Sequence, residues 1–174
     1  MSQTLQAGFL QTQVARILEA AGSTPAEAEQ VAANLVLANL SGHDSHGVGM
    51  LPRYVDAVAE GGLVPNAAVR IKLDTGAMLA LDGQHGYGQI VGVQAMALGI
   101  ARAKQHGSCI LSLASAHHLG RIGHFAEMAV AEGLVAMQQG LVPSPSSSTS
   151  RPAGWRRARC AWRTTRANAC RRDI

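Results

Sequence analysis

The stretch VRIKLDTGAMLALDG, Val69–Gly83, marks the point where the chain changes character. Two short runs of strand-like residues flank Asp74-Thr75-Gly76, and a tripeptide of that type is a hairpin signal. Helical patterns precede this stretch, whereas strands and helices alternate after it. The pattern predicts an α/β fold with a helical N-terminal segment at residues 1–68 and an α/β segment at residues 69–137.

Upstream of the hairpin, three helices are expected. The first carries apolar residues at helical spacing and can end at Gly22. The second begins in STPAEAEQVAANLVLANL, where Thr24 suits the N-cap, Pro25 the first helical position and Glu27 the last place of a capping box. The third has Val48, Leu51, Val55 and Val58 on one face and stops at Gly61-Gly62.

Downstream of the hairpin, GQIVGVQAMALGIARAKQHG predicts a helix that ends at Gly107. SCILSLAS is a short strand candidate, and HHLGRIGHFAEMAVAEG begins as a loop and continues as a helix. LVAM, residues 134–137, then predicts the start of another strand.

Composition narrows the class of protein. Apolar residues make up 47% of the 174 residues and aromatic residues only 3%, so the core must be built mainly from Ala, Leu, Val and Ile. We find no apolar run of about 18 residues and no signal-peptide pattern. The three cysteines follow no metal spacing. A cytoplasmic protein without a membrane anchor is expected.

The segment at residues 138–174 differs from everything before it. It holds eight arginines and one acidic residue, whereas residues 1–137 carry a net charge of −3. It has no apolar periodicity, so a disordered tail is one interpretation. A basic arm that contacts nucleic acid, with Trp155 and Trp162 as stacking groups, is another. Our preferred hypothesis is an out-of-frame translation, since the break falls inside a predicted strand; an uninterrupted frame around codon 137 would refute it.

Two histidine clusters are candidates for a functional site. His43 and His46 lie in SGHDSHGVGMLPRY, and His117 and His118 lie after the strand candidate SCILSLAS. A metal site is not expected, because no histidine pair has the tight helical spacing of a zinc protease and no cysteine joins them.

His118 is the candidate for acid–base chemistry, because a histidine titrates near neutral pH and a loop between strand and helix can present it to a cleft. Gly120 lets the backbone approach a ligand, and Arg121 with the helix start could hold an anion. The alternative is that His117 and His118 satisfy hydrogen bonds within their loop.

In the first cluster, Asp44 or Ser45 can cap the third helix. His46 would then lie in its first turn, where the helix dipole favours a neutral ring. A capping turn without chemistry is the competing interpretation, and spacing alone does not separate the two.

Three segments together resemble the malate/L-lactate dehydrogenase family: GHDSHGVGMLPRYVDAVAEGGLVPN, LDGQHGYGQIVGVQAMALGIARAKQHG and HHLGRIGHFAEMAVAEGLVAM. The resemblance covers residues 5–137. It implies a cofactor-binding domain that is not a Rossmann fold, in keeping with the lack of a strand–GxGxxG–helix unit. It further implies a homodimeric oxidoreductase that transfers a hydride between NAD or NADP and a small 2-hydroxy or 2-oxo acid.

The resemblance also assigns roles to residues. His118 matches the acid–base histidine of the family, and His46, with Ser45, matches its D-S-H-G motif, which faces cofactor and substrate. Gly120 and Arg121 are expected on the cofactor side with His46. Many relatives have a carboxylate-binding arginine where this chain has Met50. Either Arg53 or Arg121 serves instead, or the substrate preference differs from that of the malate-like members.

Relatives continue after GLVAM into further strands of the cofactor domain, whereas here the arginine-rich segment follows. Residues 69–137 therefore correspond to a partial cofactor-binding domain. We predict that this chain is an incomplete and inactive member of an enzyme family. The alternative is a small binding protein whose arginine-rich tail contacts nucleic acid.

Overall fold

The computed structural model describes residues 5–140. The interpretations of residues 138–174 as a basic arm or a disordered tail concern a segment that lies outside that range from residue 141 onward. Five helices and three strands occur within it: α1 (Ala7–Ala20), α2 (Pro25–Leu40), α3 (Leu51–Ala59), β1 (Arg70–Asp74), β2 (Met78–Asp82), α4 (Gly88–His106), β3 (Ile110–Ala114) and α5 (Gly123–Ala131). Two short 3-10 turns, Asp44–His46 and Val48–Met50, precede α3. The predicted α/β fold class, with helices before the sheet, is confirmed.

The start of α2 is fixed partly by its own sequence and partly by a distant loop. The Thr24 side chain accepts a hydrogen bond from the Glu27 backbone N–H, as predicted for an N-cap. The Glu27 side chain does not complete a capping box, because its carboxylate instead accepts the backbone N–H of Asn66 at 2.9 Å and the Ser23 hydroxyl. The Thr24 N–H donates to the Asn66 side chain. Glu27 therefore joins α2 to the segment before β1.

The third helix begins later than the sequence predicts. Leu51 is its first residue, and the two 3-10 turns occupy residues 44–46 and 48–50. The predictions that Asp44 or Ser45 caps this helix and that His46 lies in its first turn are therefore wrong. The Asn39 side chain donates to the Asp44 carboxylate and accepts from the Val48 N–H. These side-chain hydrogen bonds compete with those of a continuous helix and stabilise the two turns.

The predicted hairpin is confirmed. Strands β1 and β2 are antiparallel, and Gly76 in the turn has φ +84° while its N–H donates to the Asp74 carboxylate. Strand β3 pairs in parallel with β2 on the side away from β1, after the chain has crossed through α4. The sheet order β1-β2-β3 leaves β1 and β3 at the edges of the described sheet.

Helix α4 ends at the left-handed Gly107, as predicted, and β3 and α5 also lie where the sequence places them. The strand predicted at LVAM is wrong: residues 134–137 pair with no strand in the described part of the chain, and Val135 is 96% exposed. A strand needs a neighbour to bond its backbone, and residues 5–140 supply none for this segment.

Two groups of buried side chains hold these elements together. The larger lies between the helices and draws on α1, α2, α3 and the start of α4; it comprises Val14, Leu18, Ala28, Val31, Ala32, Leu35, Leu51, Tyr54, Leu63, Tyr87 and Ile90. The smaller joins the sheet to α4 through Leu79, Leu81 and Ala95. Helix α4 thus contacts both groups.

The described residues up to Gln139 belong to one compact unit, and the domain boundary at residue 68 stays a prediction. None of the helices in residues 5–140 combines the length and apolarity needed to cross a bilayer.

Candidate active site

The two histidine clusters meet at one place in the fold. The His46 and His118 rings are stacked, with centroids 5.2 Å apart and an interplanar angle of 25°. His46 ends the first 3-10 turn, and His118 lies in the loop between β3 and α5. Residues that are far apart in sequence are therefore brought into contact, as expected for a shared site.

Backbone packing holds the His118 loop against the start of α4. The His117 N–H donates to the Gly86 carbonyl at 3.0 Å. Gly88 lies so close to the His118 carbonyl and Leu119 that a Cβ atom would collide with both. Glycine at the first position of α4 therefore allows the loop to approach and places the imidazole over α3.

The His46 turn is anchored from α2. Asn39 donates to Asp44 at 2.6 Å and accepts from the Val48 N–H at 2.8 Å. Gly47 is buried against the Asn39 side chain and has no room for a Cβ atom. The exposed Ser45 hydroxyl lies 2.9 Å from His46 Nδ1.

A buried hydrogen-bond chain contacts Nδ1 of His118. Tyr54 Oη lies 2.8 Å from His118 Nδ1, and Gln89 Nε2 donates to the same oxygen at 2.6 Å. Tyr54 is completely buried and Gln89 is 2% exposed. Neither residue was among the candidates from the sequence. Tyr54 closes the motif SGHDSHGVGMLPRY and is one of only two tyrosines, which is the signal that could have identified it.

The surroundings of His118 favour a neutral ring. Burial lowers the pKa of His118, and the nearby His46, His117 and Arg53 lower it further. Burial likewise lowers the pKa of His117, with Arg53 and His85 as smaller causes. Burial raises the pKa of Tyr54 to about 12, against a smaller opposing effect of the Gln89 hydrogen bond, so this hydroxyl keeps its proton at neutral pH.

The predicted anion-binding residues differ in their availability. Arg53 is exposed, lies near both histidines of the loop, and makes no ion pair within residues 5–140. Arg121 is engaged by both oxygens of Glu127, at 2.7 and 2.6 Å. Gly120 is buried beside the Gln89 side chain with φ +71°. Of these two arginines, Arg53 can therefore contact a ligand without breaking an existing ion pair.

Met50 packs against the helical core. The position where many relatives carry an arginine is thus filled here by an apolar side chain. Within residues 5–140, no three His, Cys, Asp or Glu side chains lie together in a way that could hold a metal ion.

Solved structures share this arrangement of elements. Malate dehydrogenase from Pyrococcus horikoshii matches 75% of this chain with a TM-score of 0.72 and 36% identity, and the match covers 38% of that protein. Sulfolactate dehydrogenase from Methanocaldococcus jannaschii matches 75% of this chain with a TM-score of 0.71 and 31% identity, over 38% of its own length. The fold is therefore that of a class of dehydrogenases.

Sequence comparison gives the family. Residues 5–148 match the malate/L-lactate dehydrogenase family, and the chain belongs to it. The match extends past residue 137, where the sequence resemblance was expected to end.

Individual relatives agree with the family assignment. Hydroxycarboxylate dehydrogenase B of Escherichia coli O157:H7 is 47% identical over 116 residues, which cover 67% of this chain and 32% of that protein. L-lactate dehydrogenase of Cupriavidus necator is 42% identical over 126 residues, which cover 72% of this chain and 36% of that protein. The chain spans about a third of the length of these curated relatives.

Proposed function

We propose that this chain carries the acid–base half of the active site of an NAD- or NADP-dependent 2-hydroxyacid dehydrogenase. The observation that supports this most directly is the stack of His46 on His118, with His118 held from below by Tyr54. Membership of the malate/L-lactate dehydrogenase family supplies the reaction class.

In the proposed reaction, His118 handles the proton of the substrate oxygen. On oxidation of a 2-hydroxy acid, the O–H proton passes to His118 as the C=O bond forms, and the hydride leaves from carbon 2. On reduction, His118 returns the proton to that oxygen. A nicotinamide cofactor supplies the hydride chemistry, while the protein supplies position and electrostatics.

Arg53 is the proposed partner of the substrate carboxylate. Its guanidinium is exposed, lies near His118, and has no acidic partner within the described range. An arginine binds a carboxylate through two parallel hydrogen bonds, which fixes the orientation of the acid. Ser45, beside His46, is the proposed second contact to the substrate.

Ser45 and His46 are proposed to contact the nicotinamide end of the cofactor. The Ser45 hydroxyl and the His46 ring can each donate and accept a hydrogen bond, and a nicotinamide carboxamide has the same two capacities. Gly120 is proposed on the cofactor side with His46. Arg121 could contact a cofactor phosphate only if its pair with Glu127 opened. We propose NAD or NADP as the cofactor and a homodimeric assembly on the family resemblance, and a cytoplasmic location on the composition of the sequence.

A chimera tests the proposed function. Residues 1–137 of this chain would be joined to the remaining C-terminal part of E. coli O157:H7 hydroxycarboxylate dehydrogenase B, with that enzyme as the positive control. We expect the chimera to reduce small 2-oxo acids with NADH or NADPH. A folded chimera without nicotinamide-dependent activity on any 2-oxo acid that the control reduces would refute the proposal.

A further inference from the structure

We propose that Tyr54 and Gln89 are positioning residues that place the proton of the neutral His118 ring on Nε2, the nitrogen that Tyr54 does not contact. The relevance of this placement for catalysis rests on the proposed function. The placement itself is a property of the hydrogen bonds within this chain and can be measured without any activity.

The hydrogen-bond donors and acceptors around the Tyr54 hydroxyl determine where the His118 proton lies. Its oxygen lies 2.6 Å from Gln89 Nε2 and 2.8 Å from His118 Nδ1. An amide nitrogen only donates, so the phenolic oxygen accepts from Gln89, and its single hydrogen is left for His118. A ring nitrogen that accepts a hydrogen bond carries no proton. The neutral His118 ring must then carry its proton on Nε2.

Burial of Tyr54 and Gln89 raises the free-energy cost of moving the His118 proton from Nε2 to Nδ1. Tyr54 is completely buried and Gln89 is 2% exposed, so neither side chain can exchange its partner for bulk water. If Nδ1 gained a proton, Tyr54 Oη would have to accept from both neighbours. Its own hydrogen would then have no acceptor, unless the Gln89 amide turned over.

A rotated Gln89 amide would provide an acceptor for the Tyr54 hydrogen. The amide oxygen is buried and has no hydrogen-bond partner within the described residues. After a half-turn of the amide it could accept the Tyr54 hydrogen, and Tyr54 could then accept from His118 Nδ1–H. Nε2 would be bare and able to take the proton of a hydroxy acid. The arrangement in the structure instead presents Nε2–H, which suits the carbonyl oxygen of a 2-oxo acid.

Other groups also act on the His118 ring, and any test must leave them in place. His46 is stacked on it from the first 3-10 turn, His117 precedes it in the loop, and Arg53 on α3 lies near it. All three disfavour a charged ring. Substitutions at Tyr54 and Gln89 keep these groups, so a change in titration would report the hydrogen-bond chain.

The test is an NMR titration of the imidazole nitrogens in the ¹⁵N-labelled 174-residue chain. In the wild type, we expect neutral His118 to show a protonated Nε2 and a bare Nδ1. Tyr54→Phe and Gln89→Met each weaken the preference for a bare Nδ1. The pKa of His118 should therefore rise by about one pH unit, the equivalent of one net hydrogen bond. Gln105→Met, on the exposed end of α4, is the matched control and should leave the titration unchanged.

Two results would overturn the proposal. One is a protonated Nδ1 on neutral His118 in the wild type, which decides the matter even if a variant fails to fold. The other is a His118 pKa that stays the same or falls in folded Tyr54→Phe and Gln89→Met. The two proposals fail separately: an inactive chimera with the expected ring proton would reject the proposed function and leave this inference standing.

Discussion

At the scale of single residues, Asn39 organises the His46 half of the candidate site. Its amide group ties Asp44 and Val48 to α2, and Gly47 packs directly against it. The two short turns that position His46 therefore depend on a side chain outside the histidine motif. A glycine in such a position is required by space and not by flexibility, because its φ of −90° is open to other residues.

Gly47→Ala should destabilise the fold and displace His46. The added methyl group has no room beside the Asn39 side chain, and overpacking of this kind costs about 1–3 kcal/mol. Urea unfolding measures the loss. Gly49→Ala is the matched control two residues away, where a Cβ atom meets nothing within 4 Å. Equal stabilities of the two variants would show that Gly47 is not confined as described.

At the scale of elements, the parts that the sequence predicts well are those fixed by neighbours along the chain. The Thr24 cap acts on Glu27, three residues away, and the Asp74 turn acts on Gly76, two residues away. The carboxylate of Glu27, by contrast, contacts Asn66, which lies 39 residues further on. The sequence around Glu27 does not indicate that contact. The N-cap at Thr24 is therefore confirmed, whereas the capping-box role of Glu27 is wrong.

Glu27→Ala should therefore destabilise both the start of α2 and its contact with the segment before β1. Glu27 is 7% exposed, and its loss leaves the Asn66 N–H and the Ser23 hydroxyl without their acceptor. We expect the free energy of unfolding to fall by about 1–3 kcal/mol. Glu29→Ala, an exposed position on the same helix, is the control and should change it by less than about 0.5 kcal/mol. A similar small effect at both positions in urea unfolding would contradict the assigned role.

The same distinction applies to the candidate site. His46 and His118 could be predicted because their motifs resemble those of a family. Gln89 could not, since it occupies an ordinary helix position and its contact with Tyr54 joins residues 35 apart in sequence. Tyr54 has one signal, its place at the end of the histidine motif, but nothing nearby in the sequence indicates its contact with His118. Only the packing of α3 against the start of α4 shows that they support His118.

At the scale of the whole molecule, the described part leaves apolar surface uncovered. Large apolar side chains on both edge strands and on the segment after α5 are exposed: Ile71, Leu73, Ile110, Val135 and Met137. Relatives in the family are about three times as long as the matched region. A surface of this kind is typical of a region that contacts further protein.

We expect the purified 174-residue chain to bind a dye specific for exposed apolar surface and to show no nicotinamide-dependent oxidation of 2-hydroxy acids. The reason is that both edge strands of the described sheet expose large apolar side chains and that the chain spans about a third of the length of its curated relatives. Fluorescence with the dye and absorbance at the NADH band are the measurements. Turnover by this chain alone would contradict the expectation.

His118 is proposed to transfer the substrate proton, and the kcat/KM of the chimera with His118 replaced tests that role. His118→Ala should lower kcat/KM by about 10²–10⁴-fold, the usual contribution of a general acid–base group. His124→Ala, in the first turn of the neighbouring α5, should lower it by less than about tenfold. A chimera that stays folded and keeps its full kcat/KM after His118→Ala would contradict the account.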